Sequence, residues 1–362
     1  MATTRFVTRL SLSLLVLAAI SHLQAQTWSF AGNMNIARVL PTVTLLNNGE
    51  VLVTGGSAGQ GAFSSAELYN PSTGTFSYTG SMNTGRAYHA AALLPSGEVL
   101  IVGGETLFPT NCLSSAELYN PSTGTFSYTG SLSAGYCGAT ATLLNTGKVL
   151  VANGTNAELY DPSSGTFSVT GSFKVSRMGP TTTLLGNGKV LFTGGFEGTT
   201  DYLKSAELYD PSTGTFALTG SMQTSRIYHT ATLMSNGEVL IAGGETYITS
   251  CPCSSPLTAA ELYNPATGRF TVTGNMNAFR YLHVAALLPS GKVLVAAGMA
   301  TKTAELYDPS SGSFSYTGSL TDERDEGARA VSLDSGAVLV TGGEWVYRVY
   351  RTHFWNTAEI YQ

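Results

Sequence analysis

Short segments of apolar or alternating residues, separated by turn-forming segments, follow one another along the chain from residue 27 onward. The segment "YHTATLM" (228–234) leads through "SNGE" into "EVLIAGG", and "AELY" (206–209) leads through "DPSTG" into "TFALTG". Asn-Gly and Pro-x-x-Gly segments are typical of tight turns between antiparallel strands. Helical periodicity is absent outside the first 25 residues. The pattern therefore predicts an all-β fold.

The same four-strand unit recurs seven times. The glycine segment that closes each second strand, such as "VTGG" or "IAGG", recurs at separations of 48, 50, 41, 49, 54 and 45 residues. Periods of this size are typical of propellers and solenoids. The glycine segments end at Gly56, Gly104, Gly154, Gly195, Gly244, Gly298 and Gly343. The repeats span roughly 35–82, 83–132, 133–173, 174–222, 223–276, 277–320 and 321–362 plus 27–34.

The two ends of the repeat array complement each other. The sequence finishes in "AEIYQ", a third strand, whereas "TWSFAGNM" (27–34) aligns with "TFSYTGSM" (75–82), a fourth strand. Pairing these two strands removes both exposed sheet edges. We therefore expect residues 26–362 to form one domain, a seven-bladed β-propeller whose N-terminal strand completes the last blade.

Each unit resembles the kelch repeat, in which a glycine pair is followed by a tyrosine and by a second aromatic residue seven positions later. The resemblance covers residues 27–362 and implies a kelch-type propeller of four-stranded blades. The aromatic pairs are Tyr69/Phe76, Tyr119/Phe126, Tyr160/Phe167, Tyr209/Phe216, Tyr263/Phe270 and Tyr307/Phe314.

The repeats differ in length mainly between their second and third strands. From the alanine of "AEL" to the next glycine segment the separation is 38 residues in five cases and 39 in the last, where "TDERDEGARA" (321–330) carries one extra residue. The strand 2–3 loops of an antiparallel blade all emerge on one face, which we call the loop face. Variable loops on a rigid scaffold commonly bind ligands, although neutral drift in loop length gives the same pattern.

Three long loops carry the candidate binding residues of this face. They are 105–115, 245–259 and 344–356. The third combines aromatic rings with basic side chains, which suits a carbohydrate or a protein partner, although some of the rings could instead cap the blade. Glu105, Glu245 and Glu344 follow the glycine segments, and two of them could flank a sugar as acid and base. The remaining candidates are Trp345, Tyr347, Arg348, Tyr350, Arg351, His353 and Trp355.

A Tyr-His motif precedes the first strand of some repeats. "RAYH" contains Tyr88 and His89, "RIYH" contains Tyr228 and His229, and "RYLH" contains His283. The three imidazoles could meet around the channel and bind copper or zinc, or they could fill the inner wall of the propeller. We interpret the arginines of these motifs and the glutamates of "AEL", which recur in most repeats, as structural polar groups.

The "RIYH" motif is similar to one in the central kelch domain of galactose oxidase and related copper radical oxidases. This resemblance implies copper bound by Tyr228 and His229 and oxidation of sugars or alcohols. That family also uses a tyrosine cross-linked to a cysteine and a histidine from a separate C-terminal domain, and neither has a counterpart in this sequence. His353 is a possible replacement for the missing histidine.

Composition and the N-terminus point to an exported protein. Residues 1–25 combine Arg5 and Arg9 with an apolar run at 10–20, which is typical of a cleaved signal peptide; an uncleaved anchor is the alternative. The remaining chain has 16 basic and 23 acidic side chains, a formal charge of −7, and no basic run. This argues against nucleic acid as a partner. We expect a secreted or periplasmic monomer that is not inserted in a membrane once the signal is removed.

The four cysteines should be oxidised in such a compartment. Cys112 and Cys137 belong to neighbouring blades on the same face, and we predict a disulfide between them. Cys251 and Cys253 could pair with each other, stay free or bind metal. Together these features predict a binding scaffold for a glycan or protein that needs no cofactor, with a copper oxidase as the alternative.

Overall fold

A computed structural model describes residues 26–59, 61–107, 111–198, 201–248, 250, 253–299, 301–346 and 352–362. Across these ranges the chain forms strands and turns. They contain no helix, and so none long and apolar enough to cross a membrane. The predicted signal peptide, residues 1–25, lies outside the described residues.

The strands of the first four blades follow one another in chain order after an initial strand, β1 (Trp28–Asn33). Blade 1 contains β2 (Thr42–Leu45), β3 (Val51–Thr54), β4 (Ala66–Asn70) and β5 (Thr75–Tyr78). Blade 2 contains β6 (Ala90–Leu93), β7 (Val99–Val102), β8 (Ser115–Asn120) and β9 (Thr125–Ser131). Blade 3 contains β10 (Thr140–Leu143), β11 (Val149–Asn153), β12 (Asn156–Asp161) and β13 (Thr166–Val169). Blade 4 contains β14 (Thr181–Leu184), β15 (Val190–Thr193), β18 (Ala206–Asp210) and β19 (Thr215–Leu218), with the hairpin β16 (Phe196–Glu197) and β17 (Asp201–Tyr202) in its loop.

The last three blades have the same antiparallel order, and two of them carry extra strands on the loop face. Blade 5 contains β20 (Thr230–Leu233), β21 (Val239–Ala242), β24 (Ala260–Asn264) and β25 (Arg269–Val272), with the hairpin β22 (Glu245–Ile248) and β23 (Cys253–Pro256). Blade 6 contains β26 (Val284–Leu287), β27 (Val293–Ala296), β28 (Ala304–Asp308) and β29 (Ser313–Tyr316). Blade 7 contains β30 (Glu326–Ser332), β31 (Val338–Val346), β32 (Thr352–Phe354), β33 (Thr357–Tyr361) and β1.

The ring closes as the sequence predicts. Strand β1 pairs with β33, where Trp28 lies opposite Tyr361. Each first strand contacts the first strands of the blades on either side, and β30 of blade 7 contacts β2 of blade 1. The all-β, seven-bladed propeller is thus confirmed.

The core consists of seven apolar clusters, one at each interface between neighbouring blades. The second strand of each blade is covered on both faces, and Val51 and Val53 are fully buried. This explains why the second strands read as continuous apolar runs. The Tyr-Phe pairs lie on the third and fourth strands; the Tyr119 and Phe126 ring centroids are 4.8 Å apart.

Buried Arg–Glu pairs fix the entry into six of the blades. In blade 5, Arg226 Nη2 donates to Glu261 Oε1 at 2.7 Å and Nη1 donates to the carbonyls of Gly243 and Ala259. Burial lowers the pKa of Arg226, and Glu261 offsets this effect. The pairs are Arg38–Glu67, Arg86–Glu117, Arg177–Glu207, Arg226–Glu261, Arg280–Glu305 and Arg324–Glu359. In blade 3, Tyr136 takes the place of the arginine and donates from its hydroxyl to Glu158 at 3.1 Å.

Candidate functional site

A collar of seven residues in left-handed backbone conformation surrounds the axial opening on the loop face. We call the arginine of each buried Arg–Glu pair the clamp arginine. Each collar residue lies two or three positions after the clamp arginine of its blade, or after Tyr136 in blade 3, and the φ angles lie between 51° and 73°. This turn delays the first strand, so that β20 begins at Thr230 rather than at Tyr228 as predicted. The collar consists of Leu40, Tyr88, Gly138, Gly179, Tyr228, Leu282 and Gly327.

Hydrogen bonds between neighbouring blades hold the collar in this conformation. Gly138 donates its backbone N–H to the carbonyl of Tyr88 at 3.0 Å, and Leu282 donates to Tyr228 at 3.0 Å. A left-handed conformation costs a residue with a side chain roughly 1–2 kcal/mol relative to a right-handed one. Despite this cost, Tyr88 and Tyr228 occupy the collar and each exposes 42% of its surface.

The three histidines turn away from the opening and connect neighbouring blades. His89 Nε2 of blade 2 lies 3.0 Å from Thr42 Oγ1 and 3.2 Å from Thr54 Oγ1 of blade 1. His229 bonds Thr181 and Thr193 of blade 4 in the same way, at 3.0 and 2.9 Å. All three imidazoles are buried, and His283 bonds Thr230 of blade 5 at 2.9 Å.

A histidine is present only at interfaces where the preceding blade supplies at least one of these threonines. Blades 2 and 6 place alanine or valine there, Ala90 with Val102 and Val284 with Ala296, and the next blade has an alanine instead of histidine. Burial lowers the pKa of His89 and His283 to about 3, so both rings are neutral at physiological pH. The same cause lowers the pKa of His229 well below its usual value.

The residues around Tyr228 do not fit a bound copper ion. His229 Nε2 lies within hydrogen-bond distance of two threonine hydroxyls, and Nδ1 is buried. Within the described part of the chain, no three His, Cys, Asp or Glu side chains form a group that could hold a metal ion. His353, the possible replacement ligand, is an exposed residue of β32 that packs edge-on against Trp355.

Two glutamates face each other at the rim of the opening. Glu326 and Glu344 are direct cross-strand neighbours on β30 and β31. Burial, together with the hydrogen bond and the charge of Glu326, raises the pKa of Glu344 to about 8. Glu344 is therefore protonated at neutral pH and donates to the Glu326 carboxylate, because two ionised carboxylates in contact repel each other.

Three tyrosines from different blades lie within electrostatic range of Glu326. After burial, which is the largest cause, the charge of Glu326 helps to raise the pKa of Tyr88, Tyr228 and Tyr281. Since these residues belong to blades 2, 5 and 6, the three tyrosines are distributed around the end of the ring where Glu326 lies. We call Tyr88, Tyr228, Tyr281, Glu326 and Glu344 the mouth cluster.

The loops of blades 4 and 5 form a wall beside the mouth cluster. Tyr202 donates from its hydroxyl to Glu245 at 3.2 Å, and burial together with Glu245 raises the pKa of Tyr202 to about 12. The rings of Tyr202 and Tyr247 lie 5.9 Å apart. Glu245 thereby joins two loops, whereas Glu105 pairs through its backbone with Ala87 and Cys112 in blade 2.

The aromatic loop of blade 7 is only partly described. Tyr347, Arg348, Tyr350 and Arg351 lie outside the described residues, and Trp345 is described through its backbone pairing with His353. Trp355 is part of the scaffold, because its Nε1 donates to the Glu323 carbonyl at 2.7 Å and its backbone joins Gly343 and Arg38. The Trp355 ring therefore has a structural hydrogen bond with the segment that enters blade 7.

A disulfide joins Cys112 in the loop of blade 2 to Cys137 at the entry into blade 3. This is the pair singled out in the sequence. Cys253 is also disulfide-bonded, and Cys251 lies outside the described residues.

Sequence reasoning did not identify Tyr202, Tyr281, Glu326 or Arg329 as residues of this face. Glu326 and Arg329 lie in the segment 321–330, whose extra residue breaks the otherwise constant spacing. That irregularity was the available signal. Tyr202 and Tyr281 have none, because a single tyrosine in a loop or turn is common.

The Kelch motif model matches residues 42–83, and no curated protein matches the chain. The structure is similar to that of a fungal alcohol oxidase of the AA5 family in complex with copper, with a TM-score of 0.75 and 17% identity over 93% of this chain and 76% of that chain. It is also similar to YjhT, with a TM-score of 0.63 and 14% identity over 79% of this chain and 98% of that chain. At these identities the likeness concerns the fold. The chain thus carries a Kelch motif in blade 1 and repeats the same blade architecture around the ring of a seven-bladed β-propeller.

Proposed function

We propose that this propeller binds carbohydrate at the mouth cluster on its loop face. One observation carries the proposal: Tyr88 and Tyr228 are large, exposed rings at strained backbone positions on opposite sides of one opening. Glycine fills the same collar position in blades 3, 4 and 7, so the scaffold itself does not require a tyrosine there. Exposed aromatic residues held at a cost in stability are typical of a binding surface.

The chemistry of the mouth cluster suits a polyhydroxylated ligand. The faces of tyrosine rings pack against the C–H surface of a sugar, and phenols both donate and accept hydrogen bonds. The Glu326–Glu344 pair presents one carboxylate acceptor and one protonated carboxyl group, which match sugar hydroxyls. On one side of the mouth cluster, Tyr202, Tyr247 and Glu245 add two tyrosine rings and another carboxyl group.

We further propose that the protein works outside the cytoplasm. The predicted signal peptide and the Cys112–Cys137 disulfide support this location, because disulfides persist in oxidising compartments.

A glycan array of neutral and acidic oligosaccharides tests the binding proposal. The purified chain should give a selective signal, and Tyr88→Ala and Tyr228→Ala should each weaken it by about tenfold or more. Tyr316→Ala is the matched control, because Tyr316 is an even more exposed tyrosine on an outer strand, with 57% of its surface accessible. Equal loss of signal in Tyr316→Ala, or full binding by both mouth variants, would contradict the proposal.

A further inference from the structure

Arg329 occupies a position of the inner wall where every other blade has a small residue. It lies on β30 directly opposite Thr341, in the register that pairs Thr42 with Thr54 in blade 1. A long, positively charged side chain at this position distinguishes blade 7 from the other six blades. The residues at this position in blades 1 to 6 are Thr42, Ala90, Thr140, Thr181, Thr230 and Val284.

Arg329 lies near enough to two residues of blade 2 to interact with them electrostatically. Its charge contributes to lowering the pKa of His89, and the phenol of Tyr88 is the group that offsets the effect of burial on Arg329. Both residues belong to blade 2, whereas Arg329 belongs to blade 7. Blade 1 separates these two blades in the ring, and Arg329 lies on the inner strand β30, three positions from Glu326.

Arg329 has no carboxylate partner among the described residues, in contrast to the six clamp arginines. Its Nη1 donates to the carbonyl of the preceding residue, Ala328, at 3.0 Å. A guanidinium has five N–H donors, and this is the one hydrogen bond that the described residues give it. Arg329 is half-buried, and this burial lowers its pKa because desolvation disfavours a cation.

We propose that Arg329 binds a carboxylate of the carbohydrate, so that the preferred ligand is a uronic-acid sugar whose acidic group enters the opening past Tyr88. This inference rests on the proposed binding function. Guanidinium and carboxylate form paired, charge-assisted hydrogen bonds, and such a ligand supplies the missing counter-ion. The shared proton of Glu326 and Glu344 lowers the negative charge that the carboxylate must pass.

Calorimetric titration with trigalacturonate and with its methyl ester tests the inference, because the two probes differ in charge and little in shape. The acid should bind the wild-type chain about tenfold or more tightly than the ester. In Arg329→Gln this preference should disappear while the affinity for the ester is retained. Arg269→Gln is the matched control, since Arg269 is an exposed arginine on an outer strand without an ion pair, and it should behave as the wild type.

Arg329→Lys keeps the charge and serves as the second variant if Arg329→Gln does not fold; it should retain part of the preference. Raised salt should weaken binding of the acid to the wild type more than binding of the ester. Equal binding of acid and ester that is still lost in Tyr88→Ala would overturn the role of Arg329 and leave the proposed function standing. Binding of neither probe would count against both.

Discussion

Gly138 of blade 3 donates its amide to the carbonyl of Tyr88 in blade 2, and Gly138 directly follows the disulfide-bonded Cys137. The disulfide and the hydrogen bond therefore involve two adjacent residues. Blade 3 is also the blade in which Tyr136 replaces the clamp arginine. The covalent link thus lies in the blade that lacks the arginine, next to the residue that bonds Tyr88.

Removing the disulfide should lower the free energy of unfolding and weaken the support of Tyr88 at the axial opening. The double variant Cys112→Ser/Cys137→Ser should lose about 3 kcal/mol of unfolding free energy, as expected for a bridge between residues 25 apart in sequence. Denaturant unfolding measures this loss. Dithiothreitol should destabilise the wild type similarly and the double variant less. Equal stability of wild type and double variant would show that the bridge has no structural role.

The strain at Tyr88 predicts an unusual order of stabilities. Tyr88→Gly and Tyr88→Ala both remove the ring, but glycine adopts the left-handed conformation without steric cost. The glycine variant should be the more stable of the two by about 1 kcal/mol. At Ala90, two residues further in a regular strand, Ala90→Gly should instead lose stability. If Tyr88→Gly proved less stable than Tyr88→Ala in denaturant unfolding, the collar would not be strained at this position.

The Arg–Glu clamps predict which substitution the scaffold tolerates. Arg226→Ala leaves Glu261 buried without its cation and should cost about 3–5 kcal/mol. Arg226→Tyr reproduces the arrangement of Tyr136 and Glu158 in blade 3 and should cost distinctly less. Thermal and denaturant unfolding measure the stability that each of the two variants loses relative to the wild type. A tyrosine variant as unstable as the alanine variant would mean that blade 3 relies on other contacts.

The glutamate pair predicts a loss of stability towards alkaline pH. Between the usual range for glutamate and about pH 8, folded Glu344 keeps a proton that the unfolded chain has released. The free energy of unfolding therefore falls as pH rises through this window. Glu344→Gln, which imitates the protonated form, should flatten the dependence between pH 5 and 9. Glu98→Gln on the opposite face should keep the wild-type slope, and an unchanged slope in Glu344→Gln would count against the shared proton.

The fold could be predicted because its determinants are local and repeated. Glycine pairs, turn segments and buried second strands occur at similar spacing in every blade, and the alignment of Trp28 with Phe76 indicated how β1 closes the ring. Each of these signals depends on short stretches of sequence.

The site could be predicted only in part, because its contacts join distant segments. The sequence identified Tyr88 and Tyr228 but could not show that His89 faces Thr42, 47 residues away in another blade. It identified Glu344 but not its partner Glu326. The cross-strand register of these two residues could not be predicted from one sequence, because the repeat spacing is irregular in this blade. Each of these tyrosines is followed by a histidine whose side chain points elsewhere, because the tyrosine adopts a left-handed backbone conformation. That conformation is likewise a property of the backbone.

A crystal structure of the protein with trigalacturonate tests the central claim most directly. We expect electron density for the sugar at the mouth cluster, with a ring against Tyr88 or Tyr228 and the carboxylate on Arg329. An empty mouth at saturating concentration, or sugar bound at the outer strands or on the opposite face, would contradict it.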